Sequence, residues 1–236
     1  MSPNPLRPPT VPETSQALAA TAPERTPWPD LFDNPELVEE EWGDHLATRA
    51  ASDRRTLITA LAFARAAHGD QTRRGGVAPY WVHPVRVSLG LAEWGHLNPE
   101  VLAAALLHDT VEDTDTSIGS IRAAFGPRVA ELVAWLTAPP SERDAELMAY
   151  YGRLHREAPD TVVVMKLADR VDNIRSIQAL VMRTGPRYQR WAAGYLGRTR
   201  RLILPLAGRA PSVSRVALVA SMADLAGFVD ADFTDG

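Results

Sequence analysis

Cysteine is absent from the 236-residue chain, which excludes disulfides and thiolate metal ligands. Any metal must then be held by histidine and carboxylate. Lysine is almost absent too. Of 25 basic residues only Lys166 is a lysine, and the rest are arginines, whose planar guanidinium suits phosphates and bases. No apolar run approaches the roughly 20 residues that a membrane span needs. The N-terminus has no apolar signal core, so the expectation is a cytoplasmic protein without membrane association. Excess positive charge is also missing. A net charge of −4 argues against general nucleic-acid binding, while clustered arginines still suit a small polyanion.

The chain does have enough apolar residues, 45%, to fill the core of one good-sized domain, with or without a tail. Pro3, Pro5, Pro8, Pro9, Pro12, Pro23, Pro27 and Pro29 leave no helical or strand period near the N-terminus. The expected organisation is a proline-rich, partly disordered arm over residues 1–50 and a domain over 51–230. Within the arm, Asn34 to Leu46 reads as a short acidic helix whose Trp42 docks on the core.

From Ser52 the periodicity is helical. Leu57, Ile58, Leu61, Ala62, Arg65 and Ala66 form a stripe that ends at Gly69. A cationic, glycine-containing loop follows over residues 70–79, and a helix opens at His83-Pro84. The next helix is capped by Asn98-Pro99 and is expected to run to about Asp113. Ser117 or Thr116 caps a short helix to Phe125, and Gly126-Pro127 starts another. Further helices are expected over residues 141–157, 161–180, 187–206 and 211–229. The apolar run Val162 to Leu167 could pass for a strand, but Leu167, Val171 and Ile174 keep the helical period. No βαβ pattern, glycine-rich phosphate fingerprint or internal repeat is present. The predicted class is all-α, a helical bundle.

The chemistry lies where apolar helices are interrupted. Val101 to Leu107 is wholly apolar and is followed by His108-Asp109 and then Glu112-Asp113. On one continuous helix these would form two adjacent stripes, an imidazole and a carboxylate at one end and two carboxylates a turn further. His83 stands at a helix start, and Asp169 sits inside an otherwise buried helix. His83, His108, Asp109 and Asp169 together make a mixed nitrogen and oxygen set suited to Mn²⁺, Fe²⁺, Co²⁺ or Zn²⁺. A lone histidine on an apolar face is more often a hydrogen-bonded core residue, so the reading rests on the set of four.

The segments Ala67-His68-Gly69-Asp70-Gln71-Thr72-Arg73-Arg74, Pro79-Tyr80-Trp81-Val82-His83-Pro84, Ala104 to Thr114, Phe125-Gly126 and Lys166-Leu167-Ala168-Asp169-Arg170 resemble the HD-domain hydrolases. In particular they resemble the RelA/SpoT-type alarmone hydrolases, in order from about residue 52 to 182. The resemblance implies removal of the 3′-pyrophosphate of (p)ppGpp. It also implies that His83, His108, Asp109 and Asp169 are the metal ligands, usually of Mn²⁺, and that Glu112 and Asp113 are the catalytic acid pair. By the same resemblance Arg74, or Arg73 if the loop slips by one, packs on the guanine, and Asn173, with Arg175 and Ser176 beyond it, contacts the nucleotide. His68 matches the first histidine of the motif, where a structural role is as well founded as a functional one.

In the last motif the family has Asp-Arg-Leu-His-Asn, and this chain has Asp169-Arg170-Val171-Asp172-Asn173. The expectation is that Asp172 places an anion near the substrate and alters substrate preference. About 54 residues follow residue 182, too few for a synthetase domain or regulatory tail, so the chain resembles the small stand-alone enzymes. The partner expected is a nucleotide, and the sequence is silent on oligomeric state. Two alternatives stand beside the alarmone reading. One is an HD hydrolase of another phosphate, such as the 2′-phosphate of NADPH, (p)ppApp or a pyrophosphorylated RNA end. The other is a non-catalytic nucleotide-binding module.

Overall fold

The computed structural model describes residues 34–75, 78–139 and 144–229. Among them the regular structure is helical, and the one extended pairing is an isolated bridge between Thr72 and Pro79. The all-α expectation holds. Residues 1–33, where the proline-rich arm is expected, lie outside the described residues, as do Gly76-Val77 of the cationic loop and the start of the helix expected from Ser141.

Helix α1 (Pro35–Ala47) starts where Asn34 accepts hydrogen bonds from the N–H groups of Glu36 and Leu37, with proline in the first turn. Its buried residues Val38, Trp42 and Leu46 recur every fourth position, and the helix packs on α3 (Val82–Glu93). Trp42 is therefore part of the core. Trp42→Ala is expected to cost about 3–5 kcal/mol in urea unfolding. A loss under about 1 kcal/mol would mean that α1 merely rests on the surface.

Helix α2 (Ala51–His68) buries Leu57, Ala60, Leu61, Ala64 and His68, whereas Ile58 is half exposed. The inward face is thus rotated from the expected one that ran through Ile58, Ala62 and Ala66. Helix α2 packs on α4 (Pro99–Leu107), and its Ala60 and Ala64 are fully buried, small residues of the kind that let helices approach closely. Helix α4 is the innermost element, with Val101 to Leu107 all buried between α2, α3 and α6 (Ile118–Leu136). A positive φ of 87° at Gly126 kinks α6 where Gly126-Pro127 predicts a restart. Between α4 and α6 lies the short helix α5 (Thr110–Asp113).

Helix α7 (Asp144–Glu157) leads to α8 (Asp160–Thr184), whose apolar run from Val162 to Leu167 is helical and buried. Helix α8 packs on α3 on one side and on α10 (Ser212–Ala226) on another. The helix expected over 187–206 is shorter. Helix α9 (Gln189–Arg198) gives way to a wide turn at Thr199–Ile203 and a tight one at Leu204–Arg209. Pro205 cannot donate to the helical ladder, and the Thr199 hydroxyl takes the Tyr195 carbonyl at 2.8 Å.

Candidate metal centre and catalytic site

Helix α4 ends at Leu107 rather than running on to Asp113, because side chains take over its last carbonyls. The His108 Nδ1–H donates to the Ala105 carbonyl at 2.8 Å, and the Thr110 hydroxyl to that of Leu107 at 2.7 Å. The backbone tightens at Asp109 and reforms as α5, with the Asp113 N–H bonded to the Asp109 carbonyl. This break replaces the continuous helix expected over 99–113. The bond to Ala105 also fixes the His108 tautomer, since a carbonyl only accepts. In the neutral ring Nε2 then keeps the lone pair.

His83, at the start of α3, and Asp169, in the middle of α8, meet His108. One donor atom from each of the three lies within 4.8 Å of the others, and all three residues are buried. Asp109 joins them. Its oxygens lie 3.4 Å from His83 Nε2 and 3.0 Å from His108 Nε2, and Asp169 Oδ1 lies 3.5 Å and 3.8 Å from the same two atoms. Both Nε2 atoms are buried and make no hydrogen bond. Two orphaned imidazole nitrogens facing two carboxylates fit a divalent cation, because leaving such atoms dry and unpaired is otherwise costly. The electrostatics agree. Burial works against charge on His108, but Asp109 and Asp169 outweigh it and hold its pKa well above the usual range. Burial would raise both carboxylates, yet His108 beside Asp109, and Lys166 with the two imidazoles beside Asp169, hold them well below theirs. The cluster calls for positive charge at its centre.

Glu112 and Asp113 stand beside this cluster at the solvent edge. Glu112 accepts from the Ala138 N–H at 2.9 Å. Partial enclosure pushes its carboxyl above the ordinary glutamate value, against the pull of Lys166 and the Ala138 N–H. The Tyr80 hydroxyl lies 2.6 Å from an Asp113 oxygen and 2.7 Å from an Asp109 oxygen. Enclosure and then the two carboxylates push the phenol far up, so it stays a donor. One phenolic proton thus ties Asp113 to Asp109. His68 stacks on the Tyr80 ring at 4.3 Å and pairs with Gln71 at 2.9 Å, which gives His68 a structural place.

Tyr80 and Lys166 are site residues that the sequence reading missed. Lys166 is buried and pairs with Asp169 Oδ2 at 2.9 Å. Burial disfavours its charge, but Asp169 first and then Tyr150, Tyr151 and Glu112 hold it protonated. The available signal was that the chain's one lysine lies a single turn before Asp169 on an apolar helix.

The arginines of the loop diverge. Arg73 donates to Asn173 Oδ1 at 2.6 Å, and the Asn173 amide donates in turn to Asp169, so both residues border the cluster. Arg74 extends outward over the Trp191 ring at 4.5 Å. Gly75, at a φ of 100°, carries the loop across α8, where a Cβ would meet the Leu180 side chain at 2.8 Å. Arg175 and Ser176 lie further along α8. Ser176 accepts from Arg86 at 3.0 Å, and Arg175 lines a separate cavity of about 50 Å³ with Glu41, Arg86, Trp94 and Asp172. Asp172 also departs from expectation. It is buried, bonded to His83 and Arg86, and is therefore not an anion presented to a ligand over the carboxylates.

Fold and site define an all-α domain built round a buried histidine and aspartate cluster. Residues 60–194 match the HD domain family, and the chain belongs to it. It is 41% identical over 121 residues to guanosine-3′,5′-bis(diphosphate) 3′-pyrophosphohydrolase of Aquifex aeolicus, covering 50% of this chain and 17% of that protein. It is 38% identical over 130 residues to the bifunctional (p)ppGpp synthase/hydrolase SpoT of Escherichia coli, covering 52% of this chain and 18% of SpoT. The chain thus matches under a fifth of the length of these curated relatives. A solved structure of a metazoan SpoT orthologue that hydrolyses ppGpp is similar over 74% of this chain and 96% of its own. Its TM-score is 0.63 and its identity 27%.

Proposed function

We propose that the chain is a metal-dependent hydrolase that removes the 3′-pyrophosphate of (p)ppGpp, giving GDP or GTP and pyrophosphate. The observation that carries this reading is the pair of unpaired, buried Nε2 atoms of His83 and His108, facing Asp109 and Asp169 beside Glu112 and Asp113. The similarity to ppGpp hydrolases supports the choice of substrate. His83, His108, Asp109 and Asp169 would hold the ion, with Mn²⁺ suited to the mixed donor set. When bound, such an ion polarises a phosphoryl oxygen and acidifies its water.

The remaining work falls to the chain's own residues. Water adds to the phosphorus joined to the ribose 3′ oxygen, that P–O bond breaks, and the 3′ oxygen leaves and takes a proton from solvent, to which Glu112 then returns the one it took from the attacking water. Glu112 holds a proton more readily than a free glutamate and accepts the one that water loses. Asp113, tied through Tyr80 to Asp109, orients the water. Arg73 pairs with the pyrophosphate charge, and Asn173 with the ribose. Arg74, backed by Trp191, offers its guanidinium face to the base. We place the activity in the cytoplasm, with the nucleotide as partner. Among the described residues no helix is long and apolar enough to cross a membrane.

The test is chromatography of products from ppGpp, NADPH and ATP, each with and without MnCl2. GDP and pyrophosphate from ppGpp with metal are expected. A Mn²⁺-binding protein that leaves ppGpp intact would overturn the reading. Removing the base platform should act on binding alone. Since a stacked base contributes about 1–3 kcal/mol, Arg74→Ala is expected to raise KM for ppGpp about tenfold with little change in kcat. An unchanged KM would take Arg74 out of the base site.

A further inference from the structure

His83 is held from behind by Asp172, which stands where the resembled family has a histidine, and by Arg86 behind it. Two helices face each other here, and each contributes two residues three apart. His83 and Arg86 lie on α3, and Asp169 and Asp172 on α8. His83 Nε2 faces Asp169 Oδ1 at 3.5 Å, and one turn on Arg86 Nε donates to Asp172 Oδ1 at 2.6 Å. Asp172 Oδ2 joins the two rungs. It accepts from His83 Nδ1 at 2.6 Å and from Arg86 Nη2 at 3.0 Å. Ser176 takes a further bond from the same Arg86 nitrogen at 3.0 Å. His83, Arg86 and Asp172 are all at least nine-tenths buried.

Counting donors explains why a carboxylate stands here. Three buried N–H groups converge on Asp172, and two carboxylate oxygens can accept all three. A neutral imidazole has one acceptor nitrogen, so a histidine at 172 would leave two buried donors unpaired beside a guanidinium. We infer that Asp172 and Arg86 form a matched positioning pair for His83. Asp172 fixes the tautomer and ring angle of His83 so that Nε2 is presented to the ion, and Arg86 fixes Asp172 and balances its charge. Neither touches the substrate. The proposal rests on the reading of His83 as a metal ligand. It replaces the expectation that Asp172 alters substrate preference.

The experiment is calorimetric titration of MnCl2 into the wild type, Asp172→Asn, Asp172→His, Arg86→Gln and the Arg86→Gln/Asp172→His double variant. Steady-state kinetics on ppGpp and melting curves accompany it. Loss of a partner that orients a metal-bound histidine typically weakens the metal about 10- to 100-fold. That loss is expected for Asp172→Asn and Asp172→His, with kcat reduced at a fixed Mn²⁺ concentration and KM for ppGpp unchanged. With Arg86→Gln added, Asp172→His should recover part of the affinity, a non-additive result that independent sites do not give. If Asp172→His does not fold, Asp172→Asn and Arg86→Gln carry the comparison. Wild-type Mn²⁺ affinity in a folded Asp172→Asn would overturn the proposal. So would a rise in KM with metal affinity intact, which would make Asp172 a substrate residue. A wild type that binds Mn²⁺ and leaves ppGpp uncut sinks the substrate reading, while these titrations still decide the pairing.

Discussion

His108→Ala is expected to lose divalent-metal binding and to lower ppGpp hydrolysis about 10³-fold or more. The ion is asked for several kcal/mol of charge stabilisation, and each 1.36 kcal/mol is a factor of ten in rate. His108 is singled out among the four candidate ligands because its geometry has no alternative use. Its Nδ1 is committed to the Ala105 carbonyl, and its Nε2 is buried and without a hydrogen bond. Removal also leaves Asp109 and Asp169 facing each other across His83 with less compensation, so their mutual repulsion grows as metal is lost. Metal content of the purified variant and a MnCl2 titration check the result. Because alanine leaves a cavity and an unpaired carbonyl, His108→Gln should be measured beside it, and the same metal loss is expected there. Retention of wild-type affinity in both variants would remove His108 from the centre.

Glu112→Gln is expected to have the opposite signature, with kcat reduced about 10²- to 10⁴-fold, the usual contribution of a positioned acid or base, and Mn²⁺ affinity within a few-fold of wild type. The amide keeps the shape and can still accept from the Ala138 N–H, so the loop after α6 stays docked. What disappears is the group that can take a proton. Asp113→Asn gives a useful contrast. Its carboxylate is linked through the Tyr80 hydroxyl to Asp109, so its loss disturbs the ligand set as well as the water. Lower kcat accompanied by some loss of metal is expected for Asp113→Asn, and lower kcat alone for Glu112→Gln. Equal metal loss in the two would make Glu112 a ligand rather than the proton acceptor.

Why some of this could be read in advance and some could not is visible in α4 and α8. A wholly apolar run that stops at His108-Asp109, and an aspartate, Asp169, inside a buried helix, are local departures from a period, and a period survives in one dimension. The break between α4 and α5 is not such a signal. It depends on the His108 and Thr110 side chains bonding back to carbonyls three residues earlier, an option that a continuous helix would also leave open. The rotated face of α2 was hidden for a similar reason. Two apolar stripes overlap there, and which of them the neighbouring helices cover, here the one through Ala60 and Ala64, is not a local property.

By itself, the sequence determined that the domain is helical, that any metal ligation must come from histidine and carboxylate, and that His83, His108-Asp109, Glu112-Asp113 and Asp169 interrupt apolar helices as candidates for the chemistry. Composition and periodicity settle such matters because they concern which residue types exist and which side of a helix they share. Only the tertiary structure decided where those side chains point. It turned Asp172 towards His83, 89 positions away, and joined Arg73 to Asn173, 100 positions away. It also sent Arg74 to Trp191, and brought Tyr80 and Lys166 beside the carboxylates. These pairings lie between helices, and helix packing, not local pattern, sets which rungs of two helices meet.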